Sequence, residues 1–426
     1  MINRVSLFKS HREIIYFIII CFCILLLSLS FRYYNYKQLT KFDSALIEAT
    51  VIKQYTKTKN TKKGYSRTYQ VLKLKSKENL NFYTITKKNQ KNIIDKTLKL
   101  EVWCGDITFY EYLNSFFSYS KILEVSNANN AKKTINTIIN NAHKDKNITS
   151  IYQALYTAKT LPQELQTKFS TLGISHLIAI SGFHLGVLSA FLFFILKLPY
   201  RYLQNNYFPY RNIKIDLFIF IAITLLLYLI FLDYPPSLFR AFFMFLIGFI
   251  LYDRGVKIVS MQTLFVSVSL ILSFHPALFF SVGFWLSVSG VFYIFLFLIY
   301  FKELHRYLQF IFLPIWIYLM MLPYSVVLFH NFSIYHPLSI LWSVLFSIFY
   351  PLSFVLHILH LGDLLDPMLK SLLSLNTNAN ITIQLSKVYL YIEILLSILA
   401  IFKKRFIYLL FMYTILIFIY LIYDIT

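Results

Sequence analysis

Charge is scarce. Lys, Arg, Asp and Glu make up 14% of the 426 residues, against about 25% in soluble domains, while 58% are hydrophobic and 19% aromatic. That excludes a water-soluble core for the second half of the chain. Cysteine is scarce as well. Cys21 and Cys23 share one apolar run and Cys104 stands alone in a polar region, so no disulfide framework is available. No Gly-x-x-x-x-Gly-Lys-Ser/Thr phosphate loop occurs, so any ATP-driven pulling is expected from another chain. The sequence has no internal repeat. The first apolar run is long and no small-x-small site follows it before Phe31, which predicts a retained anchor instead of a cleaved signal peptide.

What is present is apolar length. A spanning helix needs about 20 apolar residues, and such runs lie near 14–31, 177–198, 217–232, 236–252, 258–274, 278–300, 308–329, 337–361, 382–402 and 405–423. Two or three of them are open to a re-entrant or interfacial reading. The pattern predicts a polytopic α-helical membrane protein in four parts: an anchor (1–32), a small β-rich extracytoplasmic domain (33–112), a helical linker and amphipathic lead-in (113–172), and a transmembrane domain (173–426).

Positive charge is abundant where the apolar runs stop. The formal net charge is +22, and residues 32–146 carry 22 Lys and Arg against 9 Asp and Glu, a surplus of 13 that calls for an anionic partner or surface. Alternation in 45–52, 69–75, 80–85 and 98–103 predicts strands that suit a small antiparallel barrel. Between the first two lies a basic hairpin with interleaved tyrosines: Lys53, Tyr55, Lys57, Lys59, Lys62, Lys63, Tyr65 and Arg67. Cations track a phosphate backbone while aromatic faces stack on bases, each base contributing about 1–3 kcal/mol. A solvated loop, or one drawn to anionic lipid headgroups, is the competing reading.

Orientation follows from short basic loops, which mark the cytoplasm. Arg4, Lys9 and Arg12 place the N-terminus inside and residues 33–170 outside; the loops with Lys197, Arg201, Arg211 and Lys214, with 253–257, and with 302–306 are then inside. Four unusual segments fall together at the outer face: 173–186, 233–240, 274–276 and 330–337. Lys403 to Arg405 breaks the alternation, which a break at Pro351 or a re-entrant 337–361 would repair.

Those segments hold the polar residues of the apolar half. Gly173-Ile174-Ser175-His176-Leu177-Ile178-Ala179-Ile180-Ser181-Gly182-Phe183-His184-Leu185-Gly186 places two histidines and three glycines in a membrane-length run. As one helix it would set Ser175, Gly182, Gly186 and Ser189 within about 60° of one another, a small-residue seam for helix packing or a pore lining. His176 and His184 either hydrogen-bond neighbouring helices or serve function, the default for ionisable groups at membrane depth. Arg240, in Pro235-Pro236-Ser237-Leu238-Phe239-Arg240-Ala241, either pairs with Asp233 or faces a wet path and touches phosphate. His357 and His360 are three apart with no third ligand nearby, so no metal site and no cofactor are expected.

The 173–186 stretch closely resembles the signature of the ComEC/Rec2 family of competence proteins, which draw single-stranded DNA through the inner membrane. The Pro-Ser-x-x-Arg-Ala pattern of 236–241, the segment 275–287 and the proline-punctuated helices near 323, 337 and 351 are similar to further family motifs in the same order. His275 stands where Asp is common and Trp285 where Gln is common. The resemblance covers about residues 150–360 and implies an OB-like outer domain, a bacterial inner-membrane location, a periplasmic DNA receptor and a cytoplasmic motor or strand-binding protein as partners besides lipid, and a possible homo-oligomer. Many members continue into a metallo-β-lactamase-like domain; no His-x-His-x-Asp-His run occurs here, so no nuclease is expected in this polypeptide.

The resulting expectation is a non-enzymatic channel for single-stranded DNA. Its path is lined by His176, Ser181, Gly182, His184, Gly186, Pro235, Ser237 and Arg240, and it is fed by the basic hairpin. A permease for another anionic polymer or solute would share the hydropathy and the outer charge. An intramembrane enzyme using a histidine base would have no partnered acid or nucleophile beyond Ser181.

Overall fold

The computed structural model describes all residues except 1–6, 9, 61–65, 77–79, 87–90, 95, 127–129, 376–382, 384 and 425–426. They form two compact units, one of Met1–Glu13, Ile139–Val268 and Val282–Thr426, the other of Ile14–Ile138 with Ser269–Ser281.

The second unit follows the long helix α1 (His11–Leu39) with β1 (Ser44–Asn60), β2 (Ser66–Ser76), β3 (Asn81–Thr86), β4 (Thr97–Trp103), the short helix α2 (Phe109–Asn114), β5 (Phe116–Phe117) and β6 (Ser120–Ser126), then α3 (Asn130–Ala142). The strands make one sheet in the order β5-β3-β2-β1-β4-β6. Its two end strands are separated in the chain by Ser118 and Tyr119 alone. The Ser118 amide donates to Tyr83 O at 3.0 Å and the Trp103 amide donates to Tyr119 O at 3.1 Å, so one segment is bonded to both ends of the sheet. The alternation in 45–103 did not pick out β5 or β6.

A bulge between Val51 and Lys53 sets the register of β1. Before it the odd residues Ile47, Ala49 and Val51 are buried, Val51 opposite the buried Leu74 of β2; after it the even phase faces inward, with Gln54 opposite the buried Leu72. One extra residue flips which face each later side chain takes. Leu98, Leu100 and Val102 of β4 complete the core, and the Phe82 ring stacks on that of Phe116 at 5.3 Å.

The remaining helices are α4 (Lys146–Thr157), α5 (Gln163–Thr171), α6 (Ser175–Ile178), α7 (Gly182–Tyr207), α8 (Ile213–Phe231), α9 (Pro236–Asp253), α10 (Met261–Phe274), α11 (Val282–Tyr300), α12 (Arg306–Phe329), α13 (Ser339–Ile358), α14 (Asp366–Ser374), α15 (Lys387–Phe402) and α16 (Arg405–Tyr423). Among the described residues eight helices are long and apolar enough to cross a membrane: α1, α7, α8, α9, α11, α12, α13 with its one-turn lead from His336, and α16. The ten expected runs therefore reduce. The runs at 258–274 and 382–402 yield helices of 14 and 16 residues, which at about 1.5 Å per residue fall short of a hydrocarbon core of about 30 Å. Of the two repairs offered for the charge alternation, the break at Pro351 does not occur: Pro351 sits inside a continuous α13, as prolines in membrane helices do when neighbouring groups satisfy the freed carbonyl.

Apolar clusters hold the bundle. Leu217, Ile221, Leu225 and Leu229 run four apart along α8, and the last three pack with Leu185 of α7 and with Leu238 and Phe242 of α9. Tyr293 and Leu296 of α11, Trp316 and Met320 of α12, Ala400 of α15 and Leu410 of α16 form another. Outward positions are equally apolar: Phe194 is 74% exposed and Leu227 62%, the surface that hydrocarbon, not water, accommodates.

Cys104 reports on the sheet. Its thiol is fully buried and burial pushes it up to about 11, so in a Cys21→Ser, Cys23→Ser background maleimide at pH 8 should label it only through opening. Leu98→Ala, costing about 2–5 kcal/mol, should speed that labelling by about 30-fold or more.

Candidate functional site: a broken helix and an outward basic face

The signature is not one helix. Gly173 takes a left-handed φ of +71° and ends α5. A Cβ there would meet His336 Cα at 3.2 Å, and His336 Nε2 donates to Ser170 O at 3.0 Å. Then α6 makes a single turn, Ala179 and Ser181 are extended, and α7 starts at Gly182 with Ser181 as its cap. This corrects the one-helix reading: Ser175 lies on α6 and drops out of the seam, whereas Gly182, Gly186 and Ser189 remain together on α7.

A break within an apolar bundle leaves backbone groups that need partners. Ser237, at the start of α9, donates its hydroxyl to Ile180 O at 2.8 Å. The Ser181 amide donates to His184 Nδ1 at 3.2 Å; with Nδ1 accepting, His184 carries its proton on Nε2. Gly182 allows the approach, since a Cβ there would lie 2.9 Å from Ala241 Cβ, whereas Gly186 has nothing within 4 Å. So Gly182 packs and Gly186 does not. Pro235 and Pro236 set the extended lead-in and first turn of α9.

The two histidines part company. His184 is fully buried, edge-on to Phe346 at 5.1 Å and Tyr350 at 4.9 Å in α13, and its Nε2 has no hydrogen-bond partner among the described residues. His176 is exposed at the far side of the break. Arg240 does not pair with Asp233. It is 4% exposed, its Nη2 donates to Gly283 O at 3.0 Å, and its Nε is unpartnered. Asp233 is exposed, in a left-handed turn at φ +61°. Thus three motifs meet: Ser237 holds 180, Gly182 admits Ala241, and Arg240 binds 283. A fourth, 331–336, holds the end of α5 through Asn331 Nδ2, which donates to Ser170 Oγ at 2.7 Å, and through His336. The segment 274–276 belongs to the unit that contains the sheet.

In that unit the expected basic hairpin is a two-stranded arm. Pairing continues to Asn60↔Ser66, with Lys53↔Lys73, Tyr55↔Val71, Lys57↔Tyr69 and Lys59↔Arg67. Residues 53, 55, 57 and 59 occupy alternate positions after the bulge, so Lys53, Tyr55 and Lys57 share one outward face, with Lys73, the buried Val71 and Tyr69 as their register partners. Lys53, Tyr55 and Lys57 are exposed, and Lys73 Nζ lies 5.6 Å from the Tyr83 ring centre. The opposite positions, Gln54, Thr56, Thr58 and Gln70, carry no charge. Lys62, Lys63 and Tyr65 lie outside the described residues. Beside the arm Gln54, Tyr55, Thr56, Gln70, Asn92 and Ile94 line a cleft of about 250 Å³. Lys73 and Tyr83 were missed because only register brings them to this face.

A family model described as competence protein matches residues 156–424. The chain belongs to the competence protein family. With its eight apolar helices it is a multi-pass membrane protein. The match takes in the broken helix and every contact that holds it, and leaves out the sheet. No curated protein and no solved structure matches the chain.

Gly182→Val should lower the folded protein in membranes several-fold, with partial recovery on adding Ala241→Gly, whereas Gly186→Ala should be near neutral; detergent thermal melts would check both.

Proposed function

We propose that this competence protein conducts single-stranded DNA across the bacterial inner membrane, N-terminus inside, with residues 33–170 on the outer side receiving the strand. Membership in the family points to DNA uptake during competence. The observation that carries the finer reading is Arg240. A guanidinium in an apolar bundle costs about 2.5–3.5 kcal/mol on insertion scales; here it has one carbonyl, a free Nε and no carboxylate among the described residues. A passing phosphate supplies the missing charge and acceptor, and the buried His184 Nε2–H is a second donor in the same set of joined motifs. Neither described cavity is lined by these residues, so conduction requires the helices around the 179–181 break to part.

The outward face of the sheet supports a nucleic-acid role. Exposed Lys53, Tyr55 and Lys57 alternate as a phosphate track with a stacking ring, and the amide-lined cleft beside Tyr55 offers donors and acceptors to a base edge. The strand order, with one segment joining both sheet ends, supports an OB-like barrel. The absence of a phosphate loop leaves pulling to a cytoplasmic motor or strand-binding protein.

In a deletion strain complemented with the wild-type gene, labelled DNA should reach the cytoplasm; without it, DNA should stay protected outside the inner membrane. Arg240→Ala should cut cytoplasmic DNA at least about tenfold at unchanged protein level. Cytoplasmic import that survives deletion rejects the channel and favours a permease for another anion. For the outer face, Lys57→Gln should weaken single-stranded DNA binding equally across sequences and lower the salt slope by about 0.7.

A further inference from the structure

The loop before α4 carries His143, which the sequence gave no reason to select. Its side chain is fully buried. Its ring stacks on Tyr152 at 4.4 Å; its Nδ1 lies 2.9 and 3.1 Å from the two Asp366 carboxyl oxygens at the start of α14; and its Nε2 lies 3.0 Å from His357 Nε2 near the end of α13. His357 Nδ1 lies 2.7 Å from Ser353 O. His360, three residues on, is exposed and takes no part.

Counting protons decides what this cluster is. Ser353 O is a carbonyl and only accepts, so His357 carries a proton on Nδ1 and offers a lone pair at Nε2. Tyr156 spends its own proton on Ser353 Oγ at 2.8 Å. If Asp366 is ionised, His143 Nδ1 also carries a proton, and with both rings neutral two lone pairs face each other across 3.0 Å. One further proton between the rings removes that repulsion and balances the carboxylate. Placing the proton on Asp366, with His143 donating from Nε2, gives the same count. The spacing suits a hydrogen bond; two imidazoles on one tetrahedral metal stand about 3.3 Å apart, and among the described residues no group of three ligands is placed to hold a metal ion.

We propose that His143, His357 and Asp366 form a buried site for a single proton that fastens the 143–157 segment to α13 and α14. The titratable groups facing the pair are Asp366 from α14 and Tyr152 and Tyr156 from α4. Burial raises both phenols above their ordinary value, so they stay neutral. Above the ordinary histidine range the closed arrangement holds one proton that the open one lacks, so closure weakens as pH rises there; well below that range the two freed imidazoles bind two protons against the one of the closed cluster, so closure gains nothing further.

Hydrogen–deuterium exchange of the full chain in lipid nanodiscs, corrected for intrinsic chemistry, tests this. Protection of peptides covering 143–157 and 353–366 should fall by up to about tenfold per pH unit above that range. His357→Gln should remove the pH dependence. Asp366→Asn is decisive: its amide donates to His143 Nδ1, His143 then donates from Nε2 to His357, and no extra proton is needed, so protection should persist and become independent of pH. A flat wild-type profile overturns the proposal, and so does an Asp366→Asn protein loosened at every pH, the mark of a plain ion pair. Loosening of the wild type by EDTA at pH 6 would overturn it in favour of a metal.

Discussion

Hydrocarbon offers no hydrogen bonds, so a backbone that leaves the helix within a membrane bundle must find partners in protein. The break at Ala179–Ser181 obeys that constraint through neighbours from distant parts of the chain. Ser237 supplies the donor for Ile180, His184 accepts from the Ser181 amide, and Gly182 leaves room for α9. Arg240, one turn after Ser237 on α9, then reaches Gly283 at the start of α11. The motifs are thus the fittings of one irregular joint. Their order along the chain says nothing of this, because each is complete only in contact with the next.

Such a joint is also where charge is tolerated. Arg240 and the His184 Nε2–H sit among apolar side chains with donors left over. A purely structural fitting would satisfy them, because an unmet buried donor costs about 1–3 kcal/mol and more when charged. Sites that carry such costs are commonly those used for something besides holding the fold. In the same bundle the His143–Asp366–His357 cluster shows the opposite economy: its atoms are matched provided one proton is present.

In the sheet a single bulge has a comparable reach. Shifting the phase of β1 at residues 51–53 keeps Val51 inside while turning Lys53, Tyr55 and Lys57 outward together. Without that extra residue the same sequence would bring its cations to the core face, where they have no place. Charge segregation on the arm is therefore a consequence of core packing in the strand that precedes it.

Much was legible beforehand. Scarce charge and long apolar runs specify membrane helices because twenty apolar residues have no other stable solvent; and alternation located four strands. The segments 173–186 and 233–240 stood out as unusual and were expected on one face, but the break within the first did not show. Other features depend on positions distant in sequence. The helix wheel failed at Ser175 because a tertiary hydrogen bond from Ser237, not local propensity, pays for the break. Asp233 looked like the partner of Arg240 because it is near in the chain, yet the group that Arg240 reaches is a carbonyl 43 residues on. His143 was invisible beside His357, 214 residues away. Local composition sets solvent and periodicity, which are sums over neighbours. Pairing of buried polar groups is set by which backbones approach, and that only the folded chain decides.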